Sequence, residues 1–214
     1  MKKLLLFTLS FCLSLIGVVK LSAQTKKVYI NPAFKTLSQH EKTLAIIPFD
    51  AVIKLRRKEM AKYTTAQITD MEMKEGKEVQ NSLHNYLLEK KLTISIQSIK
   101  KTNALLRHGR INPDSMQSYT TQQLCQILGV DGIISGSIKS NIPSSQGAYI
   151  TLGVLAGSHR AGNSGKCSIS VNDSQKGKLV WKYKKTIYRG LGSDSNTIIN
   201  SLMRKASREF PYNS

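Results

Sequence analysis

The sequence predicts an α/β fold of the α+β kind: a mixed, mostly antiparallel sheet of about five strands with about four helices packed on it. Helical and strand-like patterns interleave up to about residue 130, strand patterns then follow one another, and an amphipathic helix closes the chain. The 214 residues divide into a leader at 1–23, an extended lead-in at 24–42 and a single domain at 43–210, with no internal repeat.

The lead-in is polar and unpatterned, with Asn31-Pro32 as a turn signal. Thr43 to Phe49 is a short apolar run stopped by Pro48, the mark of a strand buried on both faces. Residues 50–64 mix Lys54, Arg56, Arg57, Lys58 and Lys62 with Leu55, Met60 and Tyr63 in no clean period, which reads as a basic loop or short surface helix. Thr69 and Glu72 then offer a capping box, followed by a helix to about Lys91 whose inner face carries Val79, Leu83, Tyr86 and Leu87.

Leu92 to Ile99 alternates apolar and polar residues, the pattern of a half-buried strand. A short helix at about 101–107 ends near Gly109, and Asn112-Pro113-Asp114 marks a turn. Thr120 and Gln123 form a second capping box for a helix stopped by Gly129. Val130 to Ile138 and Ala148 to Ala156 read as strands. Cys167, Ile169 and Val171 form one face of a third, joined through a turn at 173–177 to a partner at 179–188 bearing Trp181, Tyr183 and Ile187. The closing helix runs from about Ser193 to Phe210, with Ile198, Ile199, Leu202, Met203 and Ala206 inward.

The leader has the order of a secretory signal: Met1-Lys2-Lys3, an apolar run to Val19, then Leu21-Ser22-Ala23. Lys20 ends the run short of the roughly 20 residues a membrane helix needs, so the pattern predicts export with cleavage after about Ala23. Phe11 precedes Cys12 where a lipidation site wants a small residue, so Cys12 reads as part of the discarded leader. Beyond residue 23, 29 basic residues stand against 13 acidic ones, a charge of +16. Such a charge attracts anionic polymers and lipids without naming one, and export argues against nucleic acid as the natural ligand. Cys125 and Cys167 fit either one disulfide or two buried thiols, and buried thiols are the expected state.

No motif specifies a reaction. His40, His84, His108 and His159 are scattered away from metal-ligand spacings, so no metal or cofactor is expected. The glycines before Lys166 lack the Gly-Lys-Ser/Thr ending of a phosphate loop, and Ser158-His159 has neither a nucleophile elbow nor a partner carboxylate. What remains is basic surface: Lys54, Arg56, Arg57, Lys58 and Lys62, with Lys182, Lys184 and Lys185 on the last hairpin, are the candidate contacts for an anionic ligand or a partner.

The stretch Leu124 to Ser137, a helix end followed by Gly-Val-Asp and a Gly-Ile-Ile-Ser-Gly-Ser strand, resembles a group of envelope domains. That group includes the amino-terminal domain of TolB, the curli secretion protein CsgG and the penicillin-binding-protein activator LpoB. The Leu44-Ala45-Ile46-Ile47-Pro48-Phe49 strand, the Lys176 to Trp181 hairpin and the closing helix agree, and the resemblance covers about residues 43–208. It implies a non-enzymatic adaptor or assembly component at the inner face of the outer membrane, with other envelope proteins as partners and an oligomer as one arrangement left open. The alternative reading, from charge, is a basic module that binds anionic envelope glycan or lipid.

Overall fold

A computed structural model describes residues 25–55, 60–141, 164–188 and 194–213. The leader, Arg56, Arg57 and Lys58, and the strand expected at 148–156 lie outside the described residues. The described chain forms β1 (Lys26–Ile30), α1 (Phe34–Ser38), β2 (Thr43–Ile46), β3 (Asp50–Lys54), α2 (Thr65–Leu88), β4 (Ser95–Ile96), α3 (Ile99–His108), α4 (Pro113–Met116), α5 (Thr121–Leu128), β5 (Gly132–Asn141), β6 (Ser164–Asp173), β7 (Leu179–Tyr188) and α6 (Ser195–Ser207).

The strands make one mixed seven-stranded sheet in the order β1-β7-β6-β5-β2-β4, with β3 also paired to β5. The β5–β6, β6–β7 and β1–β7 ladders are antiparallel, whereas the β2–β4, β2–β5 and β3–β5 ladders are parallel. Alternation sorts each strand's side chains onto two faces. Leu44, Ile46, Ile134, Ile138, Cys167, Ile169, Val171, Trp181, Tyr183 and Ile187 lie on the face packed by α2, α6 and the carboxy-terminal Phe210 and Tyr212. Trp181 anchors this layer, stacked on Tyr183 at 5.9 Å and meeting Phe210 edge-on at 5.5 Å. On the other face, α3, α4 and α5 pack on Ala45, Ile47 and Ile133, over β2 and the start of β5.

Several local expectations give way to tertiary structure. The lead-in is extended, but β1 within it pairs with β7, and α1 follows. The loop or surface helix expected after Phe49 begins instead as strand β3, because Asp50 to Lys54 continue along β5 and the Glu72 carboxylate accepts the Ile53 amide at 3.0 Å. Helix α2 starts before the expected box. Thr64 and Gln67 form the reciprocal cap, while the Thr69 hydroxyl, already inside the helix, donates to the Thr65 carbonyl. Gly76 lets this helix touch the β2–β3 connection: the Phe49 amide donates to the Gly76 carbonyl, and a Cβ at Gly76 would lie 2.1 Å from the Phe49 carbonyl oxygen.

The alternating segment Leu92 to Ile99 supplies a ladder of only Ser95–Ile96. Its neighbours find other partners: Thr93 donates to the Tyr212 carbonyl, the Gln97 side chain donates to the Leu128 carbonyl, and the Ser98 hydroxyl caps α3. The turn expected at 112–114 tightens into α4, with Asn112 and Ser115 as its box. The α5 expectations hold, from the Thr120–Gln123 box to the left-handed Gly129 at φ 64°.

Cys125 and Cys167 are free, buried and on opposite faces of the sheet. Burial pushes both thiols up to about 12.

Candidate functional site

Among the described residues, the face of the sheet left open by the helices spans β3, most of β5, β6, β7 and β1. Register fixes its rows. Ser135 lies beside Ser170, Lys182 and Tyr29, with a hydroxyl–hydroxyl hydrogen bond of 3.2 Å between the two serines. In the next row Asp50, Ser137, Ser168, Lys184 and Lys27 follow one another across five strands. Val52, Lys139, Lys166 and Thr186 form a third row, and Lys54, Asn141, Ser164 and Tyr188 a fourth. Neighbouring strands are about 4.8 Å apart and successive rows about 7 Å, so each lysine lies within reach of a cation next to it.

On this face two cross-strand pairs of described residues set like charges directly opposite each other, Lys139 with Lys166 and Lys27 with Lys184. Such pairs oppose strand association. The face carries Lys27, Lys54, Lys139, Lys166, Lys182 and Lys184, and none of them has an ion-pair partner among the described residues. Asp50 is the acidic residue at the open positions of these strands.

Of the basic residues singled out in the sequence, Lys54, Lys182 and Lys184 stand together on this face. Lys185 does not: alternation turns it to the helix-covered side, opposite Cys167 and beside Lys26, whose ammonium is 2.7 Å from the Glu209 carboxylate. Lys62 is exposed just ahead of α2 and is not part of a strand. Lys139 and Lys166 were missed although their signal was present, because Ser135, Ser137, Lys139 and Asn141 alternate with the buried residues of β5 as Lys166, Ser168 and Ser170 do with those of β6. Lys27 carried no such signal.

Where the open face meets the helices, a cavity of about 310 Å³ is bounded by Pro48, Asp50, Ser135 and Asn172 on the sheet side and by Tyr119 and Thr121 on the other. A second of about 460 Å³ shares Pro48, Phe49, Asp50, Pro113 and Met116 with it and extends toward α2 and α3.

Carboxylates gather at the opposite end of β2 and serve the fold. Asp131, from the Gly-Val-Asp turn, accepts the Lys42 and Thr43 amides at 2.9 Å each, which fixes the entry to β2. Asp173 accepts the Lys176 and Lys178 amides and holds the β6–β7 turn. Glu41 accepts a hydrogen bond from the Tyr212 hydroxyl. Burial, reinforced by Asp173 and Asp131 and opposed by that hydrogen bond, raises Glu41 to about 7. Among the described residues no His, Cys, Asp and Glu group of three or more is arranged to hold a metal, and no helix is long and apolar enough to cross a membrane.

This architecture is that of an α+β domain with a two-faced sheet, one face buried and one open and basic. No protein-family model matches the chain, and a comparison with curated proteins finds no match. Solved structures give remote likenesses. The PelC dodecamer from Paraburkholderia phytofirmans aligns at a TM-score of 0.43 and 13% identity over 87% of this chain and 96% of that one. The LpoB C-terminal domain from Salmonella enterica gives 0.34 and 8% over 74% and 94%, and the lipoprotein GNA1162 from Neisseria meningitidis 0.39 and 11% over 78% and 94%. Likenesses this remote carry no functional argument.

Proposed function

We propose that this chain is an exported, non-enzymatic protein of the cell envelope that works by docking, as an adaptor or assembly component at the periplasmic side of the outer membrane. The leader pattern at 1–23 and the envelope-like stretch Leu124 to Ser137 support the location. The observation that carries the docking is the free edge of β1. The Asn31 amide donates to the Val180 carbonyl and the Thr186 amide to the Thr25 carbonyl, so by alternation Lys27 and Tyr29 turn their backbone groups toward β7. Lys26, Val28 and Ile30 therefore present amides and carbonyls to the outside, and among the described residues no strand pairs with them.

Such an edge is a template for strand addition. It is also apolar in side chain, with Val28, Tyr29 and Ile30 at 36%, 45% and 51% exposure. The occupant this fits is an extended segment of another envelope protein, which takes affinity from main-chain hydrogen bonds and selectivity from alternate side chains.

The test is a photo-crosslinking residue at Ile30 in intact envelopes, with and without Val28→Pro. Proline removes an outward amide and leaves the bonds to β7 in place. Adducts with envelope proteins that vanish in the proline variant are expected. Absence of adducts, or yields indifferent to proline, overturns the reading.

A further inference from the structure

We infer that the open face of the sheet binds an acidic polysaccharide, laid flat across β5, β6 and β7. This goes beyond docking through the outer edge of β1 and rests on the open face of the sheet, to which that strand contributes Lys27 and Tyr29. Charge complementarity is the first ground. Among the described residues, Lys27, Lys54, Lys139, Lys166, Lys182 and Lys184 share one face with a single carboxylate, Asp50, at its margin. The directly opposed pairs Lys139–Lys166 and Lys27–Lys184 oppose the very ladders they sit in. Negative charge placed between them relieves that repulsion, and a ligand with charges repeating along its length does so at several rows together.

The second ground is what lies between the lysines. Ser135, Ser137, Ser168, Ser170, Asn141 and Thr186 make a bed of short hydroxyl and amide groups at a height the longer lysines rise above. Hydroxyls that both donate and accept match a hydroxyl-rich polymer. An anionic bilayer surface needs only the charge. A single-stranded nucleic acid would call for aromatic plates in the middle of the sheet. Here the aromatic residues, Tyr29 and Tyr188, sit in the outermost rows, and the centre is serine and lysine. The tyrosine rings at these corners offer flat surfaces for sugar rings, leaving the chain between them to the lysines and serines.

The experiment measures binding of the purified protein to polygalacturonate oligomers, with dextran, phosphatidylcholine–phosphatidylglycerol vesicles and single-stranded DNA as comparators. Polygalacturonate should bind most tightly of the four, with affinity falling at least ~10-fold between about 50 and about 200 mM salt. The combined variant Lys139→Ser, Lys166→Ser, Lys184→Ser should lose at least ~10-fold. The same change of charge away from the face, Lys35→Ser, Lys90→Ser, Arg204→Ser, should leave binding within about twofold. Ser168→Ala with Ser170→Ala should weaken polygalacturonate about threefold and leave its salt dependence unaltered, which separates hydroxyl recognition from charge alone.

Circular dichroism of each variant confirms folding, and Lys→Arg at the three face positions provides a charge-preserving form that should retain binding. Tighter binding of vesicles or DNA, equal binding of dextran, or equal losses from the face and control variants would each overturn the inference.

Discussion

The two faces of one sheet differ more than any two segments of the chain. Along β6, Cys167, Ile169 and Val171 are fully buried under helices, while Lys166, Ser168 and Ser170 between them stand on the open side. Along β7 the same holds for Tyr183 and Ile187 against Lys182 and Lys184. Stability and surface chemistry are thus written on alternate residues of the same strands. A change of one residue along the strand moves from one property to the other, and substitutions should separate them cleanly.

The largest effect is expected on the covered side. Trp181→Ala removes the ring that stacks on Tyr183 and meets Phe210, and should cost about 3–5 kcal/mol in denaturant unfolding. A loss below about 1 kcal/mol would show that the aromatic layer does not anchor the core.

Next comes Glu41, at the end of the sheet. Below its ordinary value of 4.5 it is protonated in both states, and between there and about 7 the folded protein keeps a proton that the unfolded chain releases. Stability should therefore fall as pH rises through this window, by up to roughly 3 kcal/mol, and level off above it. Glu41→Gln, which stays neutral, should flatten that part of a pH–stability profile. Glu75 is raised in the same direction by burial and adds a slope that this substitution leaves in place. An unchanged profile in the Gln variant would assign the slope elsewhere.

Thr120→Ala should cost about 1 kcal/mol by freeing the Gln123 amide at the start of α5, measured by thermal unfolding. The smallest effect, and of opposite sign, belongs to the open face. Lys166→Ser removes one of the opposed Lys139–Lys166 charges and should stabilise the protein by up to ~0.5 kcal/mol at low salt, with the gain fading as salt rises. A clear loss of stability instead would mean that Lys166 supports the fold, and the contrast between the faces would weaken.

The sequence displayed this division unevenly. Where the pattern is local it was legible: the Thr120–Gln123 box, the Gly129 stop, the β6–β7 hairpin and the buried side of α6 all stand as expected. Where a segment's partner is distant it was not. Lys26 to Ile30 has no internal period of its own and becomes a strand because β7 offers an edge. Leu92 to Ile99 has a perfect period, but it is drawn off by Tyr212 at one end and by the α3 cap at the other.

The site shows the same asymmetry. Density along the chain brought Lys54, Lys182 and Lys184 forward, whereas the face is assembled across strands and takes Lys139 and Lys166 one at a time from β5 and β6. Sequence density also grouped Lys185 with its neighbours, although adjacent residues of a strand point in opposite directions.

The pairing of β1 with β7 has a consequence for folding kinetics. Val28 meets Tyr183 across nearly the whole described chain, so this ladder closes one of the longest loops the molecule can form. Contacts of that separation form late and slow the folding of the domains that depend on them. The chain is delivered amino end first, so β1, the strand that later caps the sheet, emerges before β7 and must wait unpaired while β5, β6 and β7 assemble. During that interval the outer edge of β7 is bare, and this is when the nascent protein is most open to pairing with the wrong strand.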